Sequence, residues 1–147
     1  MKPDKLTIYA GRFQPFTNED LKTIEDLYRK GSKVILIYVR SHQPYENTPF
    51  RSCTVKKSLE KIQEIYPEIV EDVYHSDTWE IEKILEKLDA EDIPVVKSEH
   101  DSLKSSVARL AIALDSKNEF CRTVPECLYD MYPEFRKDIL NISPKKR

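Results

Sequence analysis

Two arginines follow the first two strand-like segments of the chain, where they could contact an anionic ligand. Arg12 comes shortly after Lys5–Ala10 (KLTIYA), and Arg40 directly follows Val34–Val39 (VILIYV). Ligands of open parallel sheets bind beside the carboxyl ends of the strands. We therefore predict that both guanidinium groups face one cleft, although the pattern also fits ordinary surface arginines.

The common phosphate-binding loops and metal sites are missing from the sequence. The chain has only two glycines, Gly11 and Gly31, so neither a GxGxxG fingerprint nor a P-loop is present. Histidines and cysteines lack the spacing of a metal site, and an odd number of cysteines predicts reduced thiols. We therefore expect no resident metal; the residues concerned are His42, His75, His100, Cys53, Cys121 and Cys127.

Length and charge indicate one soluble domain. The 147 residues include 24 basic and 26 acidic side chains, for a net charge of −2, which argues against a general nucleic-acid binder. We see no membrane-spanning apolar run and no secretory signal, so we expect a cytoplasmic protein that binds no membrane. The predicted domain covers residues 1–140. Residues 141–147 form a basic tail, and its use as a localisation signal is left as an alternative.

Apolar periodicity predicts alternating strands and helices, and hence an α/β fold. Because parallel strands need crossover connections, this order predicts a single Rossmann-like domain, a parallel sheet with helices on both faces. The helix over Leu103–Leu114 is predicted to face inward through Leu103, Val107, Leu110 and Leu114. The predicted strands are Lys5–Ala10, Val34–Val39, Ile69–His75, Ile93–Val96 and 118–124; the predicted helices are Asn18–Lys30, Thr54–Ile65, Thr78–Leu88, Leu103–Leu114 and Glu126–Phe135.

The loop between the first strand and the first helix resembles a family signature. Residues 11–17 read Gly-Arg-Phe-Gln-Pro-Phe-Thr, which resembles the HxGH-type nucleotidyltransferase superfamily. The match is closest to archaeal-type nicotinamide mononucleotide (NMN) adenylyltransferases, and Thr17-Asn18 looks more like the pantetheine-phosphate branch. Further matches are Thr48-Pro49-Phe50, Asp77 followed by Trp79, Lys104–Arg109 (KSSVAR, similar to S-[SG]-T-x-x-R) and Val124-Pro125-Glu126.

The resemblance implies transfer of AMP from ATP to a nucleotide acceptor. Catalysis in that family consists of positioning and charge stabilisation, and the N-terminus of the first helix points at the phosphates. For this chain it implies nucleotide contacts, with catalytic residues left unknown. The implied nucleotide-binding residues are Gly11, Arg12, Phe13, Gln14, Thr17, Asp20, Arg40, Trp79, Ser105, Ser106 and Arg109.

Two positions of the signature depart from the family pattern. Glu19 stands at the glycine position and Asp20 at the second histidine position, both in the first turn of the helix. Two like charges about 4 Å apart repel by about 4 kcal/mol at an effective dielectric near 20, so these acids should repel phosphate. They are also ordinary helix-start residues, with Asn18 as the predicted N-cap. A second stretch, Arg51–Val55, lacks the Gly, Glu and Arg of the family's TAGER-like segment.

These departures favour a degenerate, inactive nucleotidyltransferase-like protein that binds a nucleotide (ATP, NMN or NAD) or regulates a protein partner. The alternative is an active adenylyltransferase that makes NAD from ATP and NMN, with magnesium held mainly by the substrate phosphates. A structural, homo-oligomeric domain is a third reading. The tyrosines proposed for a partner surface are Tyr28, Tyr45, Tyr129 and Tyr132.

Overall fold

Four parallel strands form the centre of the molecule. The structure is a computed structural model, and it describes residues 5–40, 49–77, 93–98 and 103–141. The sheet has the order β3-β2-β1-β4. The strands are β1 (Lys5–Gly11), β2 (Ser32–Val39), β3 (Val70–Ser76) and β4 (Val95–Lys97); the helices are α1 (Asn18–Arg29), α2 (Ser52–Ile65), α3 (Leu103–Ala113), α4 (Lys117–Thr123), a 3₁₀ helix (Glu126–Met131) and α5 (Tyr132–Leu140).

The order of the strands reverses between β1 and β4. β1 pairs with β2 on one side and with β4 on the other, so that Ile8 lies opposite both Ile35 and Val95. A reversal of this kind opens a crevice at the carboxyl ends of the two strands. The loop after β1 and the start of α1 lie at this point of the sheet, and so does Ser98 after β4.

Both faces of the sheet are buried, which confirms the prediction for the apolar run in β2. Every residue from Val34 to Val39 is at most 6% exposed. Alternate side chains enter two separate apolar clusters, as the two-residue period of a strand requires. The larger cluster contains Tyr9, Leu36 and Tyr38 with the helices, and the smaller one contains Ile8, Ala10, Ile35, Ile37 and Val39.

The predicted strand at 118–124 is wrong. The segment forms α4 (Lys117–Thr123), whose buried residues Phe120 and Thr123 are three positions apart, as on one helix face. The Phe120 ring packs against those of Tyr132 and Phe135 in α5, so the segment joins the C-terminal helices instead of extending the sheet.

The predicted helix over Glu126–Phe135 is divided in two. A 3₁₀ helix ends at Met131, and α5 begins at Tyr132 with Pro133 in its first turn. Proline is tolerated there because the first N–H groups of a helix have no intrahelical partner. The helix predicted over Thr78–Leu88 lies outside the described residues.

The inward face predicted for α3 is also wrong. Val107, Leu110 and Leu114 are exposed, whereas Ala108 and Ile112 are fully buried. The rotation of the helix follows from Arg109, which is buried and donates a hydrogen bond from Nη1 to the carbonyl oxygen of Gln14 at 2.8 Å. Apolar periodicity alone does not register such a polar anchor.

Candidate nucleotide-binding site

The loop after β1 follows a narrow path between strand and helix. A Cβ added to Gly11 would lie 2.6 Å from the Cβ of Ser98, so only glycine fits there. Phe13 has a φ of +49°, an uncommon value for a residue with a side chain. Its ring and that of Phe16 are both buried in the core. The predicted nucleotide contact of Phe13 is therefore limited to its backbone.

Gln14 connects this loop to two helices. Its Oε1 accepts a hydrogen bond from the backbone N–H of Phe50 at 2.8 Å, just before α2. Its carbonyl oxygen accepts the bond from Arg109 of α3. Since Gln14 is only 1% exposed, its side chain fixes the loop and does not present a polar group to a ligand.

Asp20 is buried in a network of hydrogen bonds. Its Oδ1 accepts from the Tyr9 hydroxyl at 2.5 Å and from the Ser98 hydroxyl at 2.6 Å. Its Oδ2 accepts from the Thr17 backbone N–H at 2.9 Å and from the Thr17 hydroxyl at 3.3 Å. The carboxylate thereby joins β1, the start of α1 and the residue after β4.

The N-terminus of α1 is closed by a capping box. Thr17 is the N-cap, and its hydroxyl accepts from the Asp20 backbone N–H while the Asp20 carboxylate accepts from the Thr17 N–H. The predicted N-cap, Asn18, is wrong: its side chain donates instead to the carbonyl of Arg122 at 3.2 Å. A Thr–Asp pair three positions apart carries the signal that could have identified the cap.

The expected repulsion between Asp20 and phosphate needs correction. The residue is 6% exposed, and both carboxylate oxygens are turned toward the donors of Tyr9, Ser98 and Thr17. Burial raises the pKa of Asp20, and the hydrogen bonds from Ser98, Tyr9 and Thr17 oppose that rise. The freely exposed acid of this turn is Glu19, which carries the remaining repulsive charge.

Tyr9 shares the buried environment of Asp20. Burial raises the pKa of the Tyr9 phenol, and the neighbouring Asp20 carboxylate raises it further. Its hydroxyl therefore stays protonated and donates to Asp20. The sequence analysis missed Tyr9 and Ser98. Strand alternation could have placed Tyr9 beside α1, but no short-range pattern connects Ser98 with a carboxylate 78 positions away.

The two arginines lie close together, at the carboxyl end of β2. Arg12 Nη1 donates to the carbonyl of Val39 at 3.4 Å, and Arg40 forms an ion pair with Asp77 at 2.7 Å. Because Val39 is the residue before Arg40, both arginines lie at the end of β2. Their contact with a ligand stays a prediction.

Residues of the second predicted motif point in different directions. Ser105 is buried, whereas Ser106 is exposed and accepts a hydrogen bond from Nη2 of Arg109 at 3.4 Å. Arg109 as a whole is 8% exposed, and its guanidinium donates to the carbonyl of Gln14, so it supports the loop after β1 from α3. Trp79 lies outside the described residues.

An open cavity of about 490 Å³ lies between α1 and β4. Tyr9 and Asp20 form part of its wall. Helix α1 contributes both acidic and basic side chains to the lining, and β4 contributes Lys97. Its position beside the point where the strand order reverses is where the fold is expected to take a ligand. The lining residues are Tyr9, Glu19, Asp20, Lys22, Thr23, Asp26, Val96 and Lys97.

A comparison with protein-family models matches residues 8–143 to the cytidylyltransferase-like family. The chain belongs to the cytidylyltransferase-like family. The match covers the sheet, the loop after β1 and the C-terminal helices, in agreement with the nucleotidyltransferase-type fold expected from the signature. The comparison with curated proteins gave no match.

The rest of the cytidylyltransferase-like chain adds little to the site. A cavity of about 160 Å³ lies beside β3 and is lined by Tyr38, Lys56, Val73, Tyr74 and His75. Among the described residues, no cluster of three or more metal-ligating side chains occurs, and no helix could cross a bilayer. Of the tyrosines proposed for a partner surface, Tyr132 is 7% exposed and is ruled out, and Tyr45 lies outside the described residues.

Proposed function

We propose that this cytidylyltransferase-like chain binds a nucleotide beside the loop after β1 and does not catalyse nucleotidyl transfer. The ligand is an adenine or pyridine nucleotide, with ATP, NMN and NAD as the candidates to test. By binding it, the protein would act as a regulator of a protein partner. The fold and family support nucleotide binding, and the residues at the signature positions support the loss of transfer.

The observation that carries the proposal is the environment of Asp20. Where the signature has its second histidine, this chain has a carboxylate that accepts hydrogen bonds from Tyr9, Thr17 and Ser98. A carboxyl group held in this way never carries the positive charge that a protonated histidine would present to a phosphate. Losing a single donor to a transition-state charge typically lowers the rate by ~10²–10³.

Positive charge for binding would come mainly from Arg12, which lies at the end of β2, since Arg40 there is already paired with Asp77. Arg12 could hold a phosphate or a ribose-phosphate group without supplying the missing donor. Arg109 is less available, since its guanidinium is buried against Gln14. The proposal therefore predicts binding of modest affinity that depends on Arg12.

Two measurements test the proposal. The first follows pyrophosphate release with ATP, magnesium and NMN, and we expect no turnover above the uncatalysed rate. The second is calorimetric titration with ATP, NMN and NAD, and we expect at least one to bind, with Arg12→Ala weakening binding and the exposed Arg29→Ala as the matched control. Arg29 lies in the last turn of α1, whereas Arg12 precedes the first turn of that helix. Turnover of ordinary enzymatic size, or no binding of any nucleotide, would overturn the proposal.

The second candidate function is an active NMN adenylyltransferase. It is favoured by the intact Gly-Arg-Phe-Gln-Pro-Phe loop and by the place of Arg12 at the end of β2. Magnesium, held mainly by the substrate phosphates, would supply the positive charge. The pyrophosphate assay separates the two functions directly, because only this one predicts that NAD accumulates in proportion to pyrophosphate.

A further inference from the structure

The smaller cavity of the molecule is formed by β2, β3 and α2. Its volume is about 160 Å³, and it shares no lining residue with the larger cavity between α1 and β4. In the described sheet β3 pairs with β2 alone, so this cavity lies at an edge of the sheet. We refer to it as the β3 cavity. Its lining residues are Tyr38, Lys56, Val73, Tyr74 and His75.

The floor of the β3 cavity is apolar and aromatic. Tyr38 lies opposite His75 in the register of β2 with β3, and Val73 is two positions before His75, so the three side chains share one face of the sheet. Tyr38 is 3% exposed, and both Tyr38 and Val73 pack with the larger core cluster. Helix α2 covers this face, since Ser52 Oγ lies 3.4 Å from the Tyr38 hydroxyl. A ligand in the cavity would therefore contact a phenol ring and an aliphatic side chain.

The volume of the cavity favours a single ring. A cavity of about 150 Å³ with an apolar lining can hold one benzene molecule. The β3 cavity has nearly the same volume, and a fused two-ring purine is larger than that. Two aromatic rings attract each other in offset or edge-to-face contact, which the Tyr38 ring can provide. Size and lining together favour one six-membered aromatic ring.

The polar part of the lining is basic. Lys56 is exposed on α2, and in the parts of the chain that the structure describes it forms no ion pair or hydrogen bond. Its neighbour Lys57, in contrast, is paired with Glu134 at 2.8 Å. His75 adds an imidazole, which can donate a hydrogen bond, and none of the five lining residues is acidic. This charge favours an anionic group on the ligand.

The acids of β3 are engaged outside the cavity. Glu71 forms an ion pair with Lys33 at 3.0 Å, and Asp72 accepts a hydrogen bond from the Tyr74 hydroxyl at 2.9 Å. Asp72 is one position before Val73, so it lies on the opposite face of the strand. The positive charge of Lys56 is therefore not neutralised by either acid.

The Tyr38 hydroxyl can donate to a ligand. Its distance of 3.4 Å from Ser52 Oγ is long, because hydrogen bonds between oxygens are typically about 2.7–2.8 Å. Burial raises the pKa of the Tyr38 phenol, so the hydroxyl keeps its proton. An ionised oxygen is a stronger acceptor than the serine hydroxyl. A ligand anion that reached Tyr38 would thus gain a better hydrogen bond than the one it replaces.

We propose that the β3 cavity binds a small aromatic anion, a single ring that carries one carboxylate or phosphate group. The ring lies against Tyr38 and Val73, and the anionic group lies at the opening beside Lys56 and His75. The dissociation constant should be on the order of 1 mM, which lies within the free energy available per atom to a ligand of this size. This inference goes beyond the proposed function and does not depend on it, since the ligand is not a nucleotide.

Nuclear magnetic resonance titration of the full chain tests the ligand class. The probes are benzoate and phenyl phosphate, and acetate and inorganic phosphate are the matching anions without a ring. We expect both aromatic anions to shift the methyl signals of Val73, because an aromatic ring alters the magnetic field at nearby protons. The ringless anions should bind at least about 10-fold more weakly, since they bury no apolar surface. Equal binding of phenyl phosphate and inorganic phosphate, or no binding of either aromatic anion, would refute the proposal.

Two adjacent lysines test the position of the anionic group. Lys56→Gln should weaken benzoate binding about 5-fold at low salt, the effect of one exposed charge about 4 Å away. Lys57→Gln is the matched control and should bind like the wild type, because Lys57 faces Glu134. If the two variants lost affinity equally, general positive charge and not this cavity would explain the binding.

A third variant tests the position of the ring. Val73→Phe should fill the cavity and abolish binding of both aromatic anions. Unchanged affinity in this variant would place the ligand elsewhere. If the variant fails to fold, the comparison of Lys56→Gln with Lys57→Gln still decides the outcome.

Discussion

The buried carboxylate of Asp20 is expected to stabilise the fold. Asp20→Asn replaces one acceptor oxygen with an NH₂ group, which faces donors from Tyr9 and Ser98 or from Thr17. A buried donor without a partner costs about 1–3 kcal/mol, so the free energy of unfolding should fall by that amount in urea denaturation. The control is the exposed neighbour Glu19→Gln, expected within about 0.5 kcal/mol of wild type. Equal unfolding midpoints for both variants would mean that the network contributes nothing.

The pH dependence of this effect follows from the raised pKa of Asp20. The folded protein binds the proton of the Asp20 carboxyl group more tightly than the unfolded chain does. Protonation of Asp20 therefore stabilises the folded state at low pH. Its contribution is complete below the unfolded pKa of about 3.9 and is lost as the pH rises through the folded pKa. The stability of wild type relative to Asp20→Asn should therefore decrease from about pH 4 upward. Urea denaturation of both proteins across this range measures the difference, and an increase with pH would contradict the sign.

Glu19 is the residue whose charge should weaken nucleotide binding. It is exposed in the first turn of α1 and lines the cavity beside β4. In water, two charges about 4 Å apart interact by about 1 kcal/mol, so Glu19→Gln should strengthen ATP binding up to about 5-fold at low salt. The gain should fall at high salt, because ions screen exposed charges. Calorimetric titration with ATP measures the effect, and Glu25→Gln, farther along α1, is the control. Equal ATP affinities of the two variants would refute the argument.

Helix α2 and the C-terminal helices are joined by ion pairs of different burial. Asp138 of α5 is 2% exposed and accepts hydrogen bonds from both the backbone N–H and the Nε of Arg51, the N-cap residue of α2. Lys57–Glu134 and Lys61–Asp130 repeat the connection at the surface. The buried carboxylate of Asp138 in α5 therefore accepts the backbone N–H at the start of α2.

Burial predicts which of these pairs matters for stability. Asp138→Asn should lower the free energy of unfolding by about 1–3 kcal/mol, since a charged partner and a helix cap are weakened together. Glu134→Gln and Asp130→Asn should each cost at most about 1 kcal/mol, as exposed pairs do. Thermal and urea unfolding of the three variants give the ranking. If the surface variants were as costly as Asp138→Asn, burial would not be the deciding factor.

Across the whole molecule, the sequence was most informative where residues act through local periodicity. The run at Val34–Val39 predicted a strand covered on both faces, and the structure confirms it. Prediction failed at 118–124, because the packing of Phe120 against the C-terminal helices decided between strand and helix. That packing depends on residues distant in sequence.

The places of the loop after β1 and of the two arginines in the fold were predicted from the sequence, whereas the contacts around them were not. The loop after β1 and the two arginines follow from strand order, since parallel strands end at the same edge. The hydrogen bonds of Asp20 to Ser98 and of Arg109 to Gln14 join residues 78 and 95 positions apart. Such contacts depend on how the strands and helices pack. Because of them, Asp20 is a buried hydrogen-bond acceptor, whereas the sequence predicted an acid that repels phosphate.

The larger core cluster predicts that sheet and C-terminal helices unfold together. Phe135 is fully buried, with ring centroids 4.7 Å from Phe50 and 5.9 Å from Phe120, so it joins the start of α2 to α4 and α5. Phe135→Ala should cost about 3–5 kcal/mol, a large part of the 5–15 kcal/mol of a typical domain. Leu140→Ala, in the same helix but 59% exposed, is the control and should cost far less. Far-ultraviolet circular dichroism and hydrogen exchange in urea should show one coincident transition, shifted as a whole in the Phe135 variant. Early loss of the C-terminal helices, with the sheet still protected, would show instead that the two parts fold independently.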